Sequence, residues 1–383
     1  MRRAQGNPAR EICRRAFVCA GKLIGIGDLL GVKVREHLQS GLVSIGLPVY
    51  NGARYLRSAL DSLVAQDYSD FEIIISDNAS EDETEAICQE YAARDPRIRY
   101  YRAERNMGAV WNTVRVCEAA RGEYFLLAAH DDLRDPRYLS RCVAALDRNP
   151  KALFCCTGIR LIDEVGRDVS ETFPFRSYPP TGETARDRIR ALIRSTSWLH
   201  VYSLLRTPAL AQTSLGDLRW GGDVVLVADL CLRGEVVEVP EKLFSYRYFA
   251  TKTNEEVARV ISTSEARVSV SWSDLAADLM ESVQRSPLSF PEKLGLRWMI
   301  AVELCFRKTS IGYGMREEGF DATRRAFAGR KYRRALTLAS ISLLQQTAYF
   351  FERAANSARY RGSKLKRAVF SREHRSSARK PGQ

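Results

Sequence analysis

Gly122-Glu123-Tyr124-Phe125-Leu126-Leu127-Ala128-Ala129-His130-Asp131-Asp132 is the stretch that decides the reading. Tyr124 to Ala128 is a short apolar run of strand length, and it stops at two adjacent carboxylates. Like charges held together after a buried strand are costly unless a cation or a proton separates them. Oxygen ligands of this kind suit Mg²⁺ or Mn²⁺, which are commonly shared with substrate phosphates. A plainer reading stays open: Asp132-Leu133-Arg134-Asp135-Pro136 could open the next helix, with Asp132 as its cap.

Upstream, strand-like and helix-like segments alternate. Val43 to Leu47 reads as a buried strand, followed by a loop from Pro48 to Ala53. Leu56, Ala59, Leu60, Leu63 and Val64 then make one apolar helical stripe. Phe71 to Ile75 is a second strand. Ser80 precedes the acidic run Glu81-Asp82-Glu83, which predicts a helix from there towards Ala93, broken at Asp95-Pro96. Ile98 to Arg102 is a third strand, and Asn106-Met107-Gly108 turns into a helix through Ala119. Strands separated by helices of this length imply βαβ units and a parallel sheet. Ligands of such sheets bind at the carboxyl ends of the strands, where three polar loops fall: 48–51, 76–80 and 130–132. Asp77-Asn78-Ala79-Ser80 and Pro48-Val49-Tyr50-Asn51-Gly52 are turns by composition, yet they offer amides, a carboxylate and an aromatic face to one edge. No GxGxxG follows the first strand and no GxxxxGK[ST] occurs, so dinucleotide and P-loop folds lack their defining loops.

Beyond residue 150 the sequence predicts a strand at 154–161, a turn at 164–166, irregular chain around Pro174, Pro179 and Pro180, a helix at 224–232, and two short strands at 236–239 and 243–247. From about 265 onward it reads as helices. The 383 residues are 45% hydrophobic and 27% charged, which excludes wholesale disorder. Nine scattered cysteines argue against a disulfide framework and a structural zinc site, leaving reduced thiols. The net charge of +13 is uneven: residues 321–383 hold 16 Lys/Arg against 3 Asp/Glu, and residues 1–40 hold 8 against 3. A mildly acidic body between basic ends is not a uniform nucleic-acid binder. No run reaches the roughly 18 apolar residues of a bilayer span. Ala335 to Phe351 comes nearest and reads as a surface helix, and Ser371 to Gln383 as a disordered basic tail.

Taken together, Val43-Ser44-Ile45-Gly46-Leu47-Pro48-Val49-Tyr50-Asn51, Phe71 to Ser80, Asn106-Met107-Gly108 and Gly122 to Asp132 resemble the inverting family 2 glycosyltransferases in order and spacing over about 41–150. The resemblance implies an α/β, GT-A-like, Rossmann-type mixed sheet flanked by helices. It implies a basic helical extension at 1–40, a glycosyltransferase domain at 41–270, and a helical basic region with its tail at 271–383. It implies transfer of one sugar from a UDP- or dTDP-linked donor to a hydroxyl of a glycan or lipid-linked acceptor in polysaccharide assembly. Pro48, Tyr50, Asn51, Asp77 and Asn78 would hold the nucleoside, with Asn106, Gly108 and Asn112 lining the donor pocket. Asp131-Asp132 stands where the family has its DxD motif, with Asp132 as the ligand of Mn²⁺ or Mg²⁺. The general base of the family lies at a helix start after an irregular loop, and Trp220-Gly221-Gly222-Asp223-Val224-Val225 fits, which nominates Asp223, with a plain helix cap as the alternative and Asp229 as a structural decoy.

Relatives often carry Arg-x-His near the end of the catalytic body. Here the triplet is Arg247-Tyr248-Phe249, so Arg247 is the candidate for phosphate, Phe249 cannot ligate a metal, and His200 is a stand-in or a structural histidine. Arg219-Trp220 and Arg297-Trp298 lack the Gln of the processive QxxRW motif, which favours single transfer. The basic C-terminal region suggests docking on an anionic membrane, hence a cytoplasmic protein peripheral to the inner membrane face, with no nucleic-acid partner. A sugar nucleotidyltransferase, and a non-catalytic binder using the basic tail, are the competing readings.

Overall fold

The computed structural model describes residues 37–172, 178–195, 198–213, 220–249 and 270–306, with 311, 315, 318, 339 and 340. The expectations for the first 36 residues, for Ala335 to Phe351 and for the tail lie outside the described residues, except that 339–340 are helical.

The first half is built as the apolar patterning requires. Strand β1 (Gln39–Val49) leads to helix α1 (Ala53–Val64), whose Leu56, Ala59, Leu60 and Leu63 are all buried. Burying each such leucine is worth about 1.5–3 kcal/mol before entropy is counted. Strand β2 (Phe71–Asp77) is buried at every residue, as a strand covered on both faces must be. Helix α2 (Thr84–Arg94), strand β3 (Ile98–Arg102), helix α3 (Ala109–Ala119) and strand β4 (Gly122–Leu127) follow. The acidic run before α2 is loop rather than helix, because its groups are spent on neighbouring backbone: Asp82 accepts from the Ala53 and Thr84 amides, at 3.0 Å each.

The chain continues through strand β5 (Leu133–Arg134), helix α4 (Tyr138–Arg148), strand β6 (Ala152–Ile162), helix α5 (Ala185–Arg194), a 3₁₀ turn (Leu199–Tyr202), strand β7 (Leu204–Arg206), the short helix α6 (Thr207–Leu210), helix α7 (Gly222–Cys231) and strand β8 (Glu235–Arg247). The eight strands form one mixed sheet in the order β3-β2-β1-β4-β7-β6-β8-β5. β3, β2, β1 and β4 are mutually parallel; β7 joins β4 and β6 antiparallel; β8 runs parallel to β6; β5 closes the far edge against β8. The fold is thus the mixed α/β sheet with flanking helices that the resemblance implied.

Two local readings are corrected. The two strands expected at 236–239 and 243–247 are one, β8, which carries Pro240 through a register irregularity opposite Thr157 and Gly158; proline is tolerated in a strand at such a bulge. Leu133-Arg134 pairs with Phe244 and Ser245, and α4 starts only at Tyr138, so Asp132 does not cap a helix.

At the amino ends of the parallel strands, Glu72 ties the sheet together. It accepts from Ser44 Oγ at 2.7 Å, from Arg99 at 2.8 Å and from Arg121 at 2.6 Å while nearly fully buried. Burial alone would raise its pKa; the hydrogen bonds from Arg121, Arg99 and Ser44 win and hold it below the ordinary value. Cys88, Cys117, Cys142, Cys155, Cys156, Cys231 and Cys305 are free thiols, all buried. Helices α8 (Trp272–Arg285) and α9 (Phe290–Phe306) follow. By contacts the chain divides into two compact units, 1–270 with 278–297, and 271–277 with 298–383. Within the second, the Glu318 carboxylate accepts from the Trp272 and Ser273 amides at 2.6 and 2.9 Å. Among the described residues, no helix is long and apolar enough to cross a membrane.

Candidate active site

The three polar loops meet beyond the carboxyl ends of β1, β2 and β4. Val49 pairs with Asp77 across the two strands, the Asn78 amide donates to Val49 O at 2.9 Å, and the Ala128 amide donates to Gly46 O at 2.8 Å. Pro48 lies inside β1, opposite Ser76, one pair short of that edge. Gly52 allows the closest approach, since a Cβ there would stand 2.7 Å from the ring of His130. The first loop is therefore pressed against the residue that precedes the two aspartates.

The β2 loop is held almost wholly by its own side chains. Asp77 is fully buried; one carboxylate oxygen accepts from the Ser80 amide at 2.8 Å, the other from Tyr100 Oη at 3.0 Å and from the Arg102 guanidinium. Asn78 donates from Nδ2 to Asn106 Oδ1 at 2.8 Å and accepts from the Met107 amide at 2.8 Å, and Asn106 Oδ1 also accepts from the Gly108 amide at 2.9 Å. Asn112 donates to Val49 O and Ser76 O, at 3.2 and 2.9 Å, while its own Oδ1 is buried with no partner. Asn51, with φ of 50°, takes Ser80 Oγ on its amide and the Glu81 amide on its Oδ1. Of the residues expected to hold a nucleoside, Tyr50 and Asn51 are exposed, Tyr50 at 37%, and the Asn51 carboxamide oxygen is already taken by the Glu81 amide. Asp77, Asn78, Asn106 and Asn112 shape the floor of the edge.

Asp131 and Asp132 differ sharply. Asp131 is half-buried, whereas Asp132 is 4% exposed. Asp132 Oδ1 accepts from the Arg247 amide at 2.9 Å, and its Oδ2 is buried with no partner. Burial first, and then the charge of Asp131, push its pKa well above the carboxylate range against the pull of Arg134 and Arg247. A buried, orphaned carboxylate oxygen beside a second carboxylate is a hard-donor position that a divalent cation or a proton completes.

Arg247, expected to meet phosphate, is held by partners within the protein. Its Nε donates to Asp131 O at 2.8 Å, its guanidinium donates to Asp163 O and Glu164 O at 2.8 and 3.1 Å, and it lies 4.5 Å over the Tyr55 ring. Those contacts make it a clamp between the ends of β6 and β8 and the aspartate loop. Phe249 packs edge-on against the same Tyr55, ring centres 5.8 Å apart.

Asp223 lies in the first turn of α7. The cap position is Gly221, left-handed at φ 80°, so Asp223 is not the helix cap. The side chain is half-buried, and its pKa is pushed up to about 6 by burial, against the Val224 amide. Asp131, Asp132 and Asp223 all raise the pKa values of the same two phenols, Tyr202 and Tyr246, on top of their burial. Asp229 is fully buried and meets Arg233 at 3.4 Å, the structural decoy that was expected. His200 is buried with Nε2 3.0 Å from Tyr178 O, and burial lowers its pKa to about 4. It is a structural histidine.

Tyr55, Tyr202 and Tyr246 are site residues that the sequence did not reveal. Among the described residues no three His, Cys, Asp or Glu side chains converge as a preformed metal centre.

The fold is of the GT-A-like kind. Residues 44–202 match the glycosyl transferase family 2 model. A Rickettsia typhi protein described as an uncharacterized glycosyltransferase is 34% identical over 147 residues, 38% of this chain and 45% of that protein. An uncharacterized protein of Mycobacterium tuberculosis is 44% identical over 205 residues, 52% of this chain and 57% of that one. The chain spans about half the length of these curated relatives. Among solved structures, S. aureus TarS 1–349 superposes with a TM-score of 0.54 at 17% identity, covering 80% of this chain and 90% of that one. Its complex with UDP-GlcNAc superposes at 0.53. That likeness shows the fold.

Proposed function

We propose that the protein is an inverting glycosyltransferase that moves one sugar from a nucleoside-diphosphate donor, UDP-linked by preference, to a hydroxyl of a glycan or lipid-linked acceptor in polysaccharide assembly. The observation that carries the reading is the partnerless Asp132 oxygen, beside the Asp131 carboxylate at the edge where the β1, β2 and β4 loops meet. The solved complexes of TarS with UDP and UDP-GlcNAc support a uridine donor.

Asp132 fits Mn²⁺ or Mg²⁺, because its free oxygen is a hard donor whose ionisation is costly without a cation, and Asp131 adds negative charge beside it. Such an ion, when bound, offsets the charge that grows on the leaving diphosphate. The protein's own part is to place the donor and move a proton. Tyr50 offers a ring face to the base, on the floor built by Asp77, Asn78, Asn106 and Asn112. Arg247 fixes Asp131 and Asp132 through the backbone of the aspartate loop and through its own amide. Asp223 accepts the acceptor hydroxyl's proton as that oxygen attacks the anomeric carbon from the face opposite the diphosphate, which inverts the configuration. The basic C-terminal region would bring the enzyme to the inner membrane face, where a lipid-linked acceptor resides.

Calorimetric titration with UDP, with and without Mn²⁺ and with GDP as control, tests the donor reading. Mn²⁺-dependent binding of UDP in preference to GDP is expected. Folded protein that binds neither nucleotide overturns it.

A further inference from the structure

A surface helix is ordinarily apolar on its inner face and polar outside. Helix α9 is apolar on both. Leu296, Met299, Ile300 and Leu304 are buried on one side, while Phe290, Leu294 and Trp298, spaced four apart, stand 78%, 61% and 63% exposed on the other. A Cβ on Gly295 would meet nothing within 4 Å. Lys293 and Arg297 border this stripe along one flank, three residues behind Phe290 and Leu294 respectively. Seven large hydrophobic side chains are exposed among the described residues, and three of them are in this one row.

The size of the stripe selects its occupant. Three such side chains expose roughly 400 Å², about half of what each partner gives to a standard protein interface. A second copy of the chain is therefore poorly served by it. A Phe-Leu-Trp row edged by two cations has the composition of a helix that lies in the plane of a membrane, with tryptophan at headgroup depth and the cations at anionic phosphates. The chain's net charge of +13 favours the same surface.

We infer that Phe290, Leu294 and Trp298 of α9 insert into an anionic membrane surface, with Lys293 and Arg297 on its headgroups. The stripe is an apolar anchor separate from the charge-rich residues 321–383, and the inference stands whether or not the donor reading holds.

The test is co-sedimentation of the full chain with phosphatidylcholine vesicles, with and without phosphatidylglycerol. The wild type binds the anionic vesicles, and F290S/L294S/W298S weakens that binding about tenfold or more. K293Q/R297Q weakens it in a salt-sensitive way. Brominated lipid quenches tryptophan emission in the wild type, and W298F removes that quenching while leaving the fold intact; this arm decides the matter if the triple variant is unstable. The inference is overturned if the wild type ignores anionic vesicles, if the triple variant binds as tightly as the wild type, if quenching persists in W298F, or if the triple substitution only dissolves a dimer.

Discussion

The role given to Asp223 can be tested through protons. Burial pushes this carboxyl up from 3.8 to about 6. A general base works in its ionised form, so the rate should rise with pH through that value. With a pKa of about 6 the ionised fraction is about 9% at pH 5 and about 91% at pH 7, so kcat/KM should fall roughly tenfold between pH 7 and pH 5. An ordinary aspartate at 3.8 would stay more than about 90% ionised across that interval, and the rate would be nearly flat. The assay is initial release of UDP from UDP-GlcNAc as probe donor, with Mn²⁺ kept saturating at each pH so that metal release does not imitate loss of the base. Asp223→Asn should lower the rate by about 10²–10⁴ and leave a residual rate without the inflection. A flat wild-type profile refutes the reasoning. So does an Asn variant that keeps most of the rate, or one that keeps the inflection and thereby moves the titration to another group.

Asp132→Asn should abolish Mn²⁺-dependent UDP binding in calorimetry. In chelator the same variant should gain thermal stability relative to the wild type as pH rises from 5 to 8. A raised folded-state pKa means stability fully present below the unfolded value and lost as pH rises through the folded one, and asparagine has no such loss; a pH-independent difference in Tm sinks the idea. Glu72→Gln should cost about 1–3 kcal/mol in urea titrations, because it removes the charge-assisted hydrogen bonds from Arg99 and from the half-exposed Arg121. Glu72 itself stabilises above its ordinary pKa, and that contribution is lost as pH falls, so the gap between wild type and variant should shrink towards acid pH. Gly122→Ala should cost more than about 3 kcal/mol or abolish soluble expression, since a Cβ there would lie 2.3 Å from Leu42 O on the neighbouring strand; a variant that melts like the wild type would show that β1 and β4 can separate freely.

Much of this was legible in the chain because the information was local. The triple isoleucine of β2 and the stripe of Leu56, Ala59, Leu60 and Leu63 each specify an element with one way to bury its apolar side. The meeting of the polar loops at the ends of β1, β2 and β4 was legible for the same reason, as each follows directly on an apolar strand. Long-range pairing was not. β5 is two residues long and exists because Phe244 and Ser245 arrive beside Leu133 and Arg134 from more than a hundred residues away. The same strand delivers Tyr246 and Arg247 to the aspartates, and nothing near Asp132 in sequence announces them. Pro240 reads as a strand breaker in isolation; only the irregular register with β6 shows why β8 continues through it.

The accounting of hydrogen bonds then separates scaffold from site more sharply than residue type does. Asp77 and Asp132 are both buried aspartates at strand ends, and composition alone would give them the same standing. Asp77 has donors on both oxygens, including the Arg102 guanidinium, so it is complete within the protein and no ligand is needed to keep it there. Asp132 has a donor on one oxygen and none on the other, and its neighbour Asp131 makes that deficit worse. A buried carboxylate left half-satisfied costs on the order of 1–3 kcal/mol or more, a cost that an ordinary structural position would have no reason to carry. The difference between the two aspartates is what the proposed donor site with a charged ligand requires. It predicts that Asp77→Asn will chiefly destabilise the β2 loop and that Asp132→Asn will chiefly remove binding. Thermal melts paired with nucleotide titrations on the two variants would show the assignment to be wrong if the two effects were exchanged.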